Sequence, residues 1–274
     1  MKKRVLETAL AKGQVALYYL GQVGFLVKWQ EKYLLIDGYL SDYVDKNCCS
    51  ELVHWVRKYP APIKAEELDF VDYVLCTHTH YDHADPETLA ILARVNSKAK
   101  YIVSAANVDT ISAYGIKKCD ILGLCTDKET VLEEGIAVTA IPAAHEVFHR
   151  DENGDYAEVG FRISLGDVTL FHAGDGCPYT GLAERLTGCD VLMLPINGRD
   201  YYRTVVCDII GCFDSREAVL LAGEVGAKLL IPTHFDLYDC NGVNPAHFVD
   251  VLKTTNPDQS FHIFAPGERY IFAK

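Results

Sequence analysis

The sequence predicts a layered α/β protein, in which two β-sheets stack and helices cover them from outside. Two observations predict this. Short β-rich runs recur along the chain, and from residue 71 onward stretches of helical periodicity alternate with them. No internal repeat or low-complexity linker divides the 274 residues, so one domain spanning 1–274 is expected.

The elements follow in order. VALYYL (15–20), GFLVKW (24–29) and KYLLIDG (32–38) are rich in β-branched and aromatic residues, and Gly-containing or charged turns separate them. That is the pattern of an antiparallel meander. Residues 41–70 break the rhythm and are long for a plain connection, so an insertion with some helix is expected there. VDYVLCT (71–77) reads as a buried strand, and a His-rich turn follows it directly. Pro86 opens the helical stretch PETLAILARVNS, where its fixed φ suits a first turn. KYIVS (100–104) reads as a strand, SAANVDTISAYG as a helix ending on Gly115, and IAVTAIPA (136–143) as a strand. VGFRISLGDVTLFHAGD (159–175) reads as a hairpin closed by Gly-Asp. GLAERLTG is a short helix, DVLMLPI a strand, DSREAVLLAGEVG an amphipathic outer helix, and AKLLIPTHFD a strand.

Composition bounds the function classes. Lys+Arg 26 against Asp+Glu 38 leaves a net charge of −12, which argues against a general nucleic-acid surface. A small anionic substrate needs only a metal or a few local cations, so a small molecule is the expected partner; self-association into a homo-oligomer is left open. None of the ten cysteines forms a C-x-x-C pair, and Cys177 is the one next to a candidate ligand. With no signal-peptide core and no apolar run of about 18 residues, a cytoplasmic protein without a membrane span is expected.

The chemistry concentrates at strand ends. His78, His80, Asp82 and His83 follow VDYVLCT, His145 follows IAVTAIPA, Asp175 follows VTLFHAG, and His234 follows AKLLIPT. Loops leaving one edge of a sheet converge in space, and sites are built there. Alternate residues of an extended H-x-H point to one side, so His78 and His80 can chelate one ion together. Imidazole suits Zn, Mn, Fe or Ni, while carboxylates add charge and can bridge. Two ions about 3.5–4 Å apart can activate a water and polarise a scissile bond. Asp82 has a second possible role as general base. No G-x-S-x-G suggests a serine nucleophile.

This pattern, His78-x-His80-x-Asp82-His83, then His145, Asp175 in HAGD and His234 in PTHFD, resembles the signature of the metallo-β-lactamase superfamily over roughly residues 15–240. The resemblance implies a four-layer αββα sandwich with its site at the sheet edge. It implies one or two divalent ions, Mn or Zn first and Fe or Ni as alternatives. His78, His80 and His145 would bind the first, Asp82, His83 and His234 the second, and Asp175 would bridge. YLGQVGFLVKW, HAGDGCPY, PINGRD and NPAHF resemble the branch that includes L-ascorbate-6-phosphate lactonase, from which this chain departs in its shorter length and its 41–70 insertion. That branch implies hydrolysis of a small phosphorylated or carboxylated lactone or ester. A phosphodiesterase and an iron-dependent oxidoreductase are the alternatives on the same fold.

Other residues carry two readings. Arg199 in NGRD can clamp a substrate phosphate or carboxylate, or pair with Asp200, and Asn197 can join it or shape the turn. Asp37 can support a ligand or make an Asx turn. His172 reads as support or core packing, and Asp236 as an acceptor that could orient His234. His149 and Arg150 read as a solvated loop. Tyr43, His54, Trp55 and Arg57 could wall a pocket or pack on the sheet edge.

Overall fold

The computed structural model describes residues 1–274. Its strands are β1 (Gln14–Gly21), β2 (Gly24–Trp29), β3 (Lys32–Ile36), β4 (Tyr73–Leu75), β5 (Lys100–Ser104), β6 (Ile121–Leu124), β7 (Glu129–Glu133), β8 (Ile136–Pro142), β9 (Val159–Leu165), β10 (Val168–His172), β11 (Val191–Pro195), β12 (Leu229–Thr233) and β13 (Arg269–Ala273). They form a seven-stranded sheet in the order β13-β1-β2-β3-β4-β5-β6 and a six-stranded sheet in the order β12-β11-β10-β9-β8-β7. The meander β1–β3 is antiparallel, while β3 through β6 run parallel. In the second sheet β7 through β10 are antiparallel and β10 through β12 parallel.

Alternation along the strands builds the layers. On β1, Val15, Leu17 and Tyr19 join Phe161, Ile163 and Met193 of the second sheet in the central core. The intervening Ala16, Tyr18 and Leu20 point outward. There they meet Val5 of α1 (Lys2–Glu7), Leu89 and Leu92 of α3 (Pro86–Val95) and Ile111 of α4 (Val108–Ala113). The outer face of the second sheet is covered by α5 (Leu182–Arg185), α6 (Ser215–Val225) and α7 (Pro245–Thr255), through residues such as Leu182, Val219 and Phe248. Helix, sheet, sheet, helix is the predicted order.

Local chemistry sets the helix ends. Asp85 caps α3 by accepting from Glu87 N at 3.1 Å, with Pro86 at the first position. Asp214 and Glu217 make a reciprocal capping box on α6, and Gly226 ends it in the left-handed conformation. Residues 41–70 contain only α2 (Tyr43–Asn47) and a single 3-10 turn, Ala65–Glu67. Strand 71–77 is shorter than expected, and α1, β6, β7, α7 and β13 are additions to the elements read from the sequence. No helix is long and apolar enough to cross a membrane, and all ten cysteines are free.

Candidate metal centre

Four chain segments meet where β4, β8, β10 and β12 end. The loop after β4 turns sharply, with His83 N and Ala84 N both donating to His80 O at 3.0 and 2.8 Å. This turn presents four candidate ligands at once. The ligand atoms of His78, His80, His145 and Asp175 lie within 4.8 Å of one another, as do those of Asp82, His83 and His234. Asp175 stands between the two sets. Its Oδ2 is 4.0 Å from His78 Nε2, 3.8 Å from His145 Nε2 and 3.5 Å from His234 Nε2, and its Oδ1 is 3.1 Å from His83 Nε2.

The donor set fits divalent ions. His78 Nε2, His83 Nε2, His145 Nδ1, Asp175 Oδ1 and His234 Nδ1 are buried with no hydrogen-bond partner. Such orphaned atoms are costly in a folded core, and a cation among them would satisfy those that face it. His83 Nε2 and Asp175 Oδ1 are close yet unaligned for a hydrogen bond, as expected of two groups directed at a third point.

Charge is finely opposed here. Burial pushes the Asp175 carboxyl up, but His83 and His234 outweigh it and hold the group well below the usual carboxylate range. Burial lowers His83 and His234, and the Asp175 and Asp82 carboxylates reverse this, raising both. His78 and His145 follow burial instead and are lowered, His145 to about 4.

Behind the ligands lies a buried network. Asp37 Oδ2 is 2.8 Å from His83 Nδ1, and Asp37 also accepts from Thr77 N at 2.8 Å and Thr77 Oγ1 at 2.7 Å. With its proton given to Asp37, the Thr77 hydroxyl is the acceptor for His78 Nδ1 at 3.1 Å. These bonds place the remaining lone pairs of both rings on Nε2, toward the centre. His172 donates from Nε2 to Val23 O at 2.7 Å and accepts from Gly174 N at 3.2 Å, which fixes the HAGD turn. Gly174 is required there: its φ is +56°, and a Cβ would lie 2.6 Å from Thr77 Oγ1. Gln22, which the sequence reading passed over, donates to Asp82 Oδ2 at 2.9 Å, and its carbonyl accepts from His234 N at 2.7 Å. Gln22, Asp37 and His234 all have positive φ, a concentration of backbone strain typical of functional sites.

Residues 33–235, well over half the chain, match the family described as Beta-lactamase superfamily domain. The chain belongs to the metallo-β-lactamase superfamily. It is 29% identical over 262 residues to a UPF0173 metal-dependent hydrolase of Archaeoglobus fulgidus, covering 93% of this chain and 98% of that one. Its fold is similar to that of a metallo hydrolase from Ignicoccus hospitalis, with a TM-score of 0.69, 20% identity and coverage of 95% and 99%. An isothiocyanate hydrolase from Delia radicum gut bacteria superposes with a TM-score of 0.74 at 17% identity, covering 94% and 100%.

In this superfamily member the centre floors a cleft of about 440 Å³. Val44, Cys48, Trp55, Ile209 and Ile210 form its apolar walls, so the 41–70 segment contributes one side. Arg57 lies beneath, its guanidinium 4.7 Å from the centre of the Tyr39 ring and donating to Ser41 O at 2.6 Å. Arg199 is not in this cleft. It donates to Cys212 O at 2.8 Å and Cys177 Sγ at 3.1 Å and pairs with Glu217, while Asp200 pairs with Arg203. Asn197 is buried behind the wall and donates to Asn241 Oδ1 at 3.0 Å. Asp236 makes no hydrogen bond to the His234 ring; it accepts from Tyr19 Oη at 2.9 Å and Gln22 N at 3.3 Å. His149 is exposed beside Glu158, and Arg150 stacks on Tyr156. The cysteine adjoining the ligands is Cys212 rather than Cys177, because the segment after Gly198 folds back under the site, with Cys212 N donating to Gly198 O.

Proposed function

We propose that this chain is a metal-dependent hydrolase that uses water to split a small, uncharged ester-like electrophile. The observation that carries the reading is the convergence of seven ligand-type side chains, several with orphaned atoms, on the floor of an open cleft. Divalent ions held by these residues would supply Lewis acidity for activating water and polarising the bond attacked. Asp82 is the more exposed of the two carboxylates, at 16% against 7% for Asp175, and it lines the cleft. There it takes the proton of the attacking water and returns it to the leaving group. The bond from Gln22 Nε2 keeps its carboxylate turned in place.

The walls favour an uncharged substrate over the phosphorylated lactone that the resemblance implies. No Lys or Arg lines the cleft. Arg57, Arg199 and Arg203 are each engaged by protein acceptors. A phosphate would find no counter-ion except the metals, and the same argument weighs against a phosphodiester. Trp55, Ile209 and Ile210 suit an apolar substituent. Ten free thiols accord with a reducing cytoplasm.

Elemental analysis of protein purified without added metal tests the first half of this reading. Near-stoichiometric metal is expected, reduced by at least one equivalent in His80→Ala. A chain with no bound metal and none taken up on titration sinks the proposal. The second half is tested by comparing a neutral lactone, an aryl acetate and an isothiocyanate with a phosphorylated lactone. Faster turnover of the phosphorylated compound would reverse the substrate assignment.

A further inference from the structure

We propose that Cys212 is a further ligand of the second metal position, giving it a thiolate donor. The inference rests on the metal-centre reading above. Four cysteines are buried, and three have ordinary places. Cys76 and Cys189 pack within the two outer apolar layers. Cys177 donates to Gly211 O at 3.4 Å and accepts from Arg199 Nη1 at 3.1 Å. Cys212 is 0% exposed yet belongs to none of the apolar clusters. A buried cysteine normally behaves as a small hydrophobe, so this surrounding is unusual.

Its sulfur lies among ligand groups. The ligand atoms of Cys212, Asp175 and His234 are within 4.8 Å of one another. Asn197 is a further polar neighbour of the thiol. Donors to one ion sit about 2.0–2.3 Å from it, so three ligand atoms this close can share a single ion after local adjustment. Asp175 Oδ1, buried without a hydrogen-bond partner, belongs to the same residue cluster, and His234 Nε2 lies 3.5 Å from Asp175 Oδ2. Because His234 is shared with the set containing Asp82 and His83, the sulfur is assigned to that position rather than to the three-histidine one.

The chemistry has a consequence for metal choice. As the sulfur–metal bond forms, the thiol proton leaves to solvent. Two divalent ions then face three anionic donors, Asp82, Asp175 and Cys212, instead of two carboxylates. A thiolate is a soft ligand that suits zinc and disfavours manganese. Of the two metals that the resemblance implies first, the second position therefore selects zinc over manganese. Asn197, placed beside the sulfur, has its role here and not on a substrate.

Cobalt(II) substitution of the whole chain tests the assignment, since a thiolate–cobalt bond gives an intense near-ultraviolet charge-transfer band. The wild type is expected to show the band, and Cys212→Ser to lose it while still binding cobalt at the histidine ligands. Stoichiometric cobalt without the band overturns the thiolate ligand alone, and a band that survives in Cys212→Ser assigns the sulfur elsewhere and overturns it too. No cobalt uptake by the wild type overturns this inference together with the metal-centre reading. X-ray absorption of the zinc-loaded wild type needs no variant. One sulfur near 2.3 Å is expected, and a shell of nitrogen and oxygen only would refute the ligand.

Discussion

Asp175→Asn is expected to lower kcat/KM by at least about 10³-fold, a loss of about 4 kcal/mol of transition-state stabilisation, and to deplete metal at both positions. The argument is geometric. One carboxylate reaches histidines of both sets, at 3.5 to 4.0 Å through Oδ2 and 3.1 Å through Oδ1. Asparagine keeps the shape, removes the charge and replaces one acceptor with a donor. The buried His83 and His234 then lose the carboxylate that does most to offset their burial. Arg199→Ala provides the contrast. Its guanidinium is held by Glu217 and the Cys212 carbonyl outside the cleft, so kcat/KM should stay within about threefold of wild type. Elemental analysis and steady-state kinetics on the two variants read both outcomes. An active, fully loaded Asp175→Asn would remove the carboxylate from the centre, and an inactive, folded Arg199→Ala would restore the substrate clamp.

The seven candidate ligands were legible because each is a chemically unusual residue at the end of an apolar run, a context that the chain itself displays. Their supports were not. Asp37 precedes Gly38, and Asp-Gly is as good a turn signal as a functional one; only the pairing of β3 with β4 brings its carboxylate against Thr77 and His83. Gln22 bears an amide with no spacing rule, and its role depends on a contact with Asp82 made across the fold. Cys212 has no C-x-x-C spacing and no candidate ligand beside it in the chain, so nothing local marks it. For Arg199 the loop sequence NGRD names Asp200 as the obvious partner, whereas α6 supplies Glu217 instead. The strands passed over are short edge segments, such as β7, which has no buried residue and carries Glu at both ends. Edge strands bury little of either face, so their hydrophobic pattern is weak. Helix α7 differs, because Asn244 as cap, Pro245 at its first turn and Phe248 with Leu252 on one face were all readable.

Removing metal from the loaded protein is expected to lower its unfolding temperature by roughly 8–16 °C. Metal held at about a thousand times its dissociation constant stabilises the fold by about 4 kcal/mol, and each kcal/mol moves the midpoint of a chain of this size by about 2–4 °C. The shift should depend on pH with a definite sign. In the empty site Asp175 and Asp82 raise His83 and His234 against the effect of burial, so both rings favour the protonated form. A His with a raised value stabilises the empty fold fully below its unfolded value near 6.5, and that contribution is lost as pH rises through the folded value. Ligation requires the neutral ring, so a cation must displace those protons. The gap between loaded and empty protein therefore widens as pH rises. His78 and His145 are lowered, chiefly by burial, and stay neutral further into acid. On stepwise acidification the Asp82–His83–His234 position should empty first, and the position formed by His78, His80 and His145 later. Metal analysis after dialysis at successive pH values, with scanning calorimetry on the same samples, gives the order directly. Simultaneous release of both equivalents would contradict the assignment of opposed charge environments, and an unchanged midpoint on chelation would mean that the ligand cluster does not bind the folded state's metal tightly.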